Sequence, residues 1–140
     1  MKLIIVAITM LMSFNISAAW KLNQYGVSVV GADNSNAFMA MYIENNDEYL
    51  YITYPDYHCY KSSFKKRDIT KMVNGQGVKF TELCDDDNRM QSFPTNTAGY
   101  NFLVEQLYNK SIVKIDGINF SAVGFRQQVQ HQIDVNKNVL

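Results

Sequence analysis

The side chains that most often carry catalysis are scarce in this 140-residue chain, which has two histidines, His58 and His131, and two cysteines, Cys59 and Cys84. Nucleophilic hydrolysis needs a Ser, Cys or Thr beside a base and an orienting group. The sequence has no Gly-x-Ser-x-Gly elbow, no His-Glu-x-x-His zinc motif and no Gly-x-x-x-x-Gly-Lys-Ser/Thr phosphate loop. We therefore expect no enzymatic activity, no catalytic residues, no metal and no cofactor. A pair of Asp or Glu residues that converge in space to catalyse hydrolysis cannot be recognised from the sequence, so a small hydrolase stays an alternative.

The cysteine pair predicts one disulfide. In an oxidising compartment an isolated pair of cysteines most often forms such a bond. Joining Cys59 to Cys84 would close a long loop and stabilise the fold by roughly 3 to 4 kcal/mol. The alternative is a reactive thiol or a metal ligand assisted by His58, although one histidine beside one cysteine falls short of a four-ligand site.

A run of acidic residues, Asp85-Asp86-Asp87-Asn88, is the strongest candidate for binding a cation. Clustered carboxylates suit Ca²⁺, but the alternate ligands, the glycine and the distant Glu of an EF-hand loop do not follow. Asp and Asn are also common turn residues, so we interpret the run as a solvated turn and keep cation binding as the alternative.

The first nineteen residues have the pattern of a cleaved secretory signal peptide. Lys2 supplies the positive start, Leu3–Met12 is apolar apart from Thr9, and Ser17-Ala18-Ala19 precedes an expected cut before Trp20. An uncleaved anchor is the alternative, but Ser13 and Asn15 interrupt the run well short of the roughly 20 apolar residues that span a bilayer. We expect one periplasmic or secreted domain, residues 20–140, without stable membrane insertion.

The charge of that domain disfavours nucleic acid as a partner. Without Lys2, the domain contains 12 of the 13 basic residues and all 13 acidic ones. Nucleic-acid binding usually needs a surplus of basic residues. Nine tyrosines and eight phenylalanines with only two prolines suit a packed, β-rich domain.

The segment 37–54 predicts a β-hairpin, because two alternating runs flank Asn45-Asn46-Asp47. A turn at Asn46-Asp47 would place Met41 opposite Ile52 and Tyr42 opposite Tyr51. One face of the hairpin is then aliphatic and the other aromatic.

Short strands and tight turns alternate with two helical patterns along the rest of the chain. Tyr100, Leu103, Val104 and Leu107 predict a helix over 97–109 capped by Thr97, and Ser121 is expected to cap a last helix over 122–133. Asp134–Leu140 is expected to be a frayed tail. Because tight turns cannot join parallel strands, we predict an α+β domain of about eight strands, with a mostly antiparallel, curved or sandwich-like sheet and the first helix on its inner face.

A tyrosine-rich segment and a neighbouring basic patch are the features that point to a protein partner. Tyrosine offers large apolar area at little rotamer cost, which is why interfaces favour it, although tyrosine is also simply a good strand former. The candidate partner-binding residues are Tyr42, Tyr49, Tyr51, Tyr57, His58, Tyr60, Lys61, Lys65, Lys66 and Arg67. An envelope-associated module is the alternative, and an edge strand near Trp20 would allow a homodimer by strand addition.

In overall design, an exported β-rich domain with one disulfide and no catalytic set resembles two groups of small periplasmic proteins. These are the periplasmic inhibitors of lysozyme and the immunity proteins against type VI secretion toxins. The resemblance implies tight binding to a peptidoglycan hydrolase or toxin, with a loop or strand edge inserted into its cleft. Cleft carboxylates would then be met by Lys, Arg, His or Tyr side chains.

Overall fold

The computed structural model describes residues 19–61 and 64–137. The predicted signal peptide lies outside the described residues except for Ala19. The strands are β1 Lys21–Leu22, β2 Ser28–Gly31, β3 Phe38–Glu44, β4 Asp47–Pro55, β5 Arg67–Val73, β6 Gln76–Cys84, β7 Arg89–Pro94, β8 Ile112–Ile115 and β9 Ile118–Ser121. The helices are α1 Thr97–Asn109 and α2 Phe125–Lys137, and a 3-10 helix spans Tyr57–Tyr60.

All nine strands form one antiparallel sheet in the order β1-β2-β3-β4-β7-β6-β5-β8-β9. The sheet curls into a half-barrel, so that the residues just after β2 reach β9. Ala32 forms a β-bridge with Phe120, and the Asp33 N–H donates to the Asn119 carbonyl at 3.0 Å. A right-handed twist accumulating over many strands produces such curling. The predicted α+β fold with a curved antiparallel sheet is confirmed.

The core lies on the inner face of the half-barrel, where both helices pack. Leu103 and Leu107 of α1 and Phe125 of α2 are buried there with apolar residues of the strands. The Trp20 ring meets the Phe125 ring edge-to-face, with ring centroids 5.0 Å apart. The helix predicted over 97–109 is confirmed, but its N-cap is Asn96, whose side-chain oxygen accepts the Gly99 N–H at 2.8 Å.

The last helix begins later and ends later than predicted. Ser121 cannot cap it, because Ser121 pairs with Ile112 in the sheet and Gly124 then turns the chain with φ +85°. A non-glycine residue rarely adopts that conformation. The expected tail is helical as far as Lys137.

The central hairpin forms between β3 and β4, but its predicted register is wrong. Asn45 and Asn46 occupy the turn with φ 51° and 65°, the positive values that a type I′ turn requires. Met41 therefore faces Leu50 and Tyr42 faces Tyr49. Because the register differs by two residues, each side chain stays on the face predicted for it.

Trp20 anchors the start of the described domain. Its backbone N–H donates to the Val123 carbonyl at 2.9 Å, and its indole N–H donates to the Ser121 carbonyl at 2.8 Å. The strands β1 and β2 that follow are separated by a turn in which the Asn23 side chain accepts the backbone N–H groups of Tyr25 and Val27.

Candidate functional site

A short turn that follows β4 carries four of the predicted partner-binding residues. We define the disulfide-tied turn as residues Tyr57–Lys61. The preceding residue, Asp56, caps this turn, because its carboxylate accepts the His58 backbone N–H at 2.8 Å. The sequence predicts that Cys59 bonds to Cys84, and the structure places their sulfurs 2.14 Å apart with Cα atoms separated by 5.5 Å. The turn is thus fastened to the end of β6.

The aromatic side chains of this turn point away from the protein. Tyr57 and Tyr60 are each 70% exposed, while Cys59 between them is buried. The Lys61 ammonium lies 4.8 Å from the centre of the Tyr57 ring, a cation–π distance. The turn therefore presents two large rings and a cation on a backbone that is held by a cap and a covalent bond.

The carboxylate of Asp56 is held charged beside this turn. Burial raises the pKa of Asp56, but the hydrogen bonds from the His58 backbone and ring and the charge of Arg67 lower it by a larger amount. The pKa of Asp56 is therefore below its ordinary value. Asp56 Oδ1 lies 2.8 Å from His58 Nδ1. This contact orients the imidazole, which is more than half exposed.

The basic residues that follow the turn are all exposed but differ in their partners. Lys65 and Lys66 are exposed. Arg67 is the first residue of β5, and its guanidinium stacks over the Phe64 ring at 5.4 Å and pairs with Glu82. Arg67 is therefore committed to an internal ion pair, whereas the two lysines are available to a partner.

The tyrosines of the hairpin form a second surface, on the outside of the sheet. Tyr42 and Tyr49 stack with centroids 4.6 Å apart, and Tyr51 meets Tyr42 edge-to-face at 6.4 Å. Their strand neighbours Met41 and Leu50 are buried in the core. Burial, followed by neighbouring negative or tyrosine groups, raises the pKa of Tyr42 and Tyr51, so both stay neutral phenols.

Beside these rings the sheet opens into a cleft of about 450 Å³, which we call the tyrosine groove. Strand β4 pairs with β7 only from Ile52 onward, so residues 47–51 have no paired strand on that side among the described residues. The groove is lined by Tyr42, Glu48, Tyr49, Leu50, Tyr51, Gln91, Phe93, Pro94 and Tyr100. The Tyr100 hydroxyl donates to the Glu48 carboxylate, and both residues belong to the lining of the groove.

The residues predicted to bind a partner thus fall into two groups that the structure does not bring together. The hairpin tyrosines lie near the start of β4 and the disulfide-tied turn follows its end. At 3.3 to 3.4 Å per strand residue, Tyr49 and Pro55 are roughly 20 Å apart. A single small partner surface would contact one group or the other.

An ion cluster built around a buried carboxylate was missed by the sequence reasoning. We define the interior charge cluster as Arg67, Lys71 and Glu82 together with Tyr54. Glu82 is fully buried, and its Oε1 accepts from Arg67 Nε at 3.1 Å and Nη2 at 3.0 Å. Its Oε2 accepts from the Tyr54 hydroxyl and lies 3.3 Å from Lys71 Nζ.

The Glu82 carboxylate is satisfied within this cluster. Burial alone raises the pKa of Glu82, but the hydrogen bond from Tyr54 and the charges and hydrogen bonds of Lys71 and Arg67 outweigh it and lower the net pKa. Burial and the bond to Glu82 in turn raise the pKa of the Tyr54 phenol. A carboxylate held by so many donors is a structural ion and a poor general acid.

Next to the cluster, a cavity of about 460 Å³ occupies the concave side of the sheet. Its walls are mostly apolar and come from β4, β5, the β8–β9 hairpin and the loop before β3. They comprise Ser35, Asn36, Ala37, Ile52, Tyr54, Pro55, Lys71, Ile115, Asp116, Ile118 and Phe120.

The acidic run forms a turn stabilised by its own first residue. Asp85 Oδ1 accepts the backbone N–H groups of Asp87 and Arg89, both at 2.9 Å. Within residues 19–61 and 64–137, no three His, Cys, Asp or Glu side chains come close enough together to hold a metal ion.

Comparison of the chain with protein families, with curated proteins and with solved structures found no match. In the part of the chain that the structure describes, no helix has the length and apolar character needed to cross a membrane.

Proposed function

We propose that this chain is an exported, non-catalytic binding protein that neutralises a secreted or periplasmic cell-wall-degrading enzyme by occluding its cleft with the disulfide-tied turn. The observation that carries the proposal is the exposure of Tyr57 and Tyr60, each 70% accessible on a fastened backbone. Aromatic side chains dominate the energetics of protein interfaces when a partner desolvates them. A backbone that is already ordered loses little entropy on binding, which favours affinity.

The charges beside the turn suit an acidic cleft. Many cell-wall-degrading enzymes are glycoside hydrolases, which work with a pair of Asp or Glu residues. Lys61 belongs to the turn, and Lys65 and Lys66 follow it, exposed. Complementary charge accelerates association and excludes wrong partners.

Export is supported by two features of the described domain. The Cys59–Cys84 disulfide is of the kind that persists in oxidising compartments. Trp20, the first residue after the expected cut, already bonds its backbone nitrogen to Val123, and a free amino group at that position could donate in the same way. We therefore propose that the working protein is residues 20–140 in the periplasm or outside the cell.

The test is inhibition of peptidoglycan hydrolysis by purified residues 20–140, measured against a panel of muramidases, amidases and any cell-wall hydrolase encoded beside this protein. We expect inhibition of at least one enzyme. The variant Lys61→Glu/Lys65→Glu/Lys66→Glu should weaken it and remove most of its salt dependence. The matched control Lys79→Glu/Lys110→Glu/Lys114→Glu reverses three exposed lysines elsewhere and should inhibit like the wild type. Absence of inhibition across the whole panel would contradict the proposal.

A second candidate function follows from the tyrosine groove. Among the residues that the structure describes, none pairs with residues 47–51 of β4 on the side facing β7, and the cleft there is lined with aromatic rings. An extended segment of an envelope protein could add to such an edge by backbone hydrogen bonds, with side chains held by the rings. An envelope-associated module would use this groove, and Tyr49→Ala/Tyr51→Ala would then abolish its binding while the lysine variant would not.

A further inference from the structure

The cavity inside the half-barrel contains a charged group that the protein itself only partly satisfies. Lys71 is 8% exposed, and its side chain lines the cavity. Its ammonium has three N–H donors. It lies over the Tyr54 ring, 5.3 Å from the ring centre, and the one oxygen within 3.5 Å of it among the described residues is Glu82 Oε2, 3.3 Å away. Asp116 Oδ2 lies at 3.8 Å, beyond hydrogen-bond distance. The remaining donors of Lys71 are open to a molecule that enters the cavity.

A second polar group on the same inner face has no hydrogen-bond partner among the described residues. The Ser92 side chain is fully buried, and its hydroxyl makes no hydrogen bond among the described residues. In the sheet, Ser92 stands between Ile52, which lines the cavity, and Glu82. Such an orphaned buried hydroxyl is uncommon in folded proteins. Unsatisfied polar capacity is therefore concentrated beside one apolar cavity.

The volume and lining of the cavity match those of a small-molecule site. Its volume of about 460 Å³ falls within the roughly 300 to 1,000 Å³ typical of ligand pockets, which are mostly apolar with a few convergent polar groups. Ile52, Ile115, Ile118 and Phe120 supply the apolar walls, and Lys71 supplies the polar end. The concave side of small curled sheets is also where single ligands are commonly held.

The charges around the cavity decide what kind of head group it accepts. Arg67 and Lys71 carry two positive charges, and Glu82 and Asp116 carry two negative charges, so the four groups balance. An added anion or cation would leave this balanced group with an uncompensated charge, whereas an uncharged oxygen would accept from the ammonium without adding charge.

We propose that this cavity binds a small, uncharged apolar molecule through one hydrogen-bond-accepting oxygen that is held by the Lys71 ammonium. An aliphatic alcohol or ketone has this chemistry. The apolar body lies against the three isoleucines and Phe120, and the oxygen takes a free donor of Lys71. The site is separate from the disulfide-tied turn, so it can be tested independently of the proposed inhibition.

The test uses residues 20–140 with ¹³C-labelled isoleucine methyl groups, titrated with 1-octanol, octanoate and octylamine, which share one chain length and differ in charge. We expect 1-octanol to shift the methyl signals of Ile52, Ile115 and Ile118 saturably, and to leave those of Ile112 and Ile133, which do not line the cavity, unchanged. Octanoate and octylamine should bind more weakly than 1-octanol.

Two variants assign the contact. Lys71→Met keeps most of the length of the side chain but removes the donor. It should weaken 1-octanol binding about tenfold or more, as expected for the loss of a hydrogen bond to a charged group. The matched control Lys114→Met, which removes an exposed lysine on neighbouring β8, should bind like the wild type. Ile118→Trp should fill the cavity and abolish binding even if Lys71→Met fails to fold.

Three results would overturn the proposal. These are cavity methyl signals that move with none of the three compounds, octanoate or octylamine binding as tightly as 1-octanol, and folded Lys71→Met binding 1-octanol with unchanged affinity.

Discussion

The interior charge cluster and the disulfide-tied turn both gather charge and aromatic rings, yet they do opposite things with them. In the cluster, Glu82 is fully buried and both of its oxygens accept hydrogen bonds from neighbouring side chains. In the turn, Tyr57 and Tyr60 are mostly exposed, and the backbone rather than the rings is fixed. The same residue types therefore serve the fold where they are satisfied internally and remain available to a partner where they are not.

This contrast separates stability from recognition. Changes in the cluster should act on the free energy of unfolding, and changes in the exposed rings should act on affinity. The disulfide connects the two regions, because Cys84 ends the strand that carries Glu82 and Cys59 lies inside the turn.

The largest effect on stability is expected from Glu82→Leu. It leaves the nearly buried Lys71 ammonium and Arg67 without their carboxylate, and breaking a buried ion pair in this way costs about 3 to 5 kcal/mol. Urea unfolding measures the loss. The triple variant Arg67→Met/Lys71→Met/Glu82→Leu replaces the whole ionic group by apolar side chains and should recover most of it. A loss below about 1 kcal/mol for Glu82→Leu would show that the cluster does not hold the sheet together.

A somewhat smaller effect is expected from removing the disulfide. Cys59→Ala/Cys84→Ala frees the loop between residues 59 and 84, and the chain-entropy model gives a loss of roughly 3 to 4 kcal/mol. The same measurement on wild-type protein with and without reductant provides the control, since reduction should reproduce the loss in the wild type and do nothing to the variant.

Acid should destabilise the protein through the same cluster. The pKa of Glu82 lies below its ordinary value of 4.5 in the folded state, so the unfolded chain takes up the proton at a higher pH. The contribution of Glu82 is therefore complete above that value and is lost as the pH falls through the folded-state pKa. Asp56 acts in the same direction.

Unfolding free energies measured from neutral pH down to about pH 3 test this linkage. Glu82→Gln should be less stable than the wild type at neutral pH and should lose less on acidification, because one titrating carboxylate is gone. An equal loss in both proteins would place the acid sensitivity elsewhere.

The smallest effect on stability is expected where the rings are exposed. Tyr57→Ala/Tyr60→Ala should change the unfolding free energy by less than about 1 kcal/mol, as surface substitutions usually do. A larger change, measured by the same urea titration, would mean that these rings support the fold.

Local chemistry predicted the elements of this protein better than their exact limits. Asn45, Asn46 and Asp47 all tolerate positive φ, so the sequence could not choose between adjacent two-residue turns, and the pairing of the whole hairpin made the choice. Ser121 has the chemistry of a helix cap, but its pairing with Ile112 keeps it in the sheet. In both cases a tertiary contact overrode a local preference.

The two surfaces and the cluster were predictable to different degrees. Alternation in β3 and β4 was enough to place Tyr42, Tyr49 and Tyr51 on one face. Their distance from the disulfide-tied turn depends on the length of β4, which the pattern gave only approximately. Arg67 and Lys71 alternate in the same phase as buried Val73 along β5, a signal for inward charge that the sequence prediction did not include.

The most direct test of the disulfide-tied turn as the binding site is the affinity of Tyr57→Ala/Tyr60→Ala for whichever cell-wall hydrolase the wild type inhibits. The matched control is Tyr25→Ala, which removes a ring that is 80% exposed on the turn between β1 and β2. Loss of one hot-spot aromatic residue costs at least about 2 kcal/mol, or roughly 30-fold in affinity, so we expect the double variant to bind at least that much more weakly. Tyr25→Ala should bind normally, and both variants should unfold like the wild type. Unchanged affinity of the double variant would contradict the claim that the disulfide-tied turn is where this protein meets its partner.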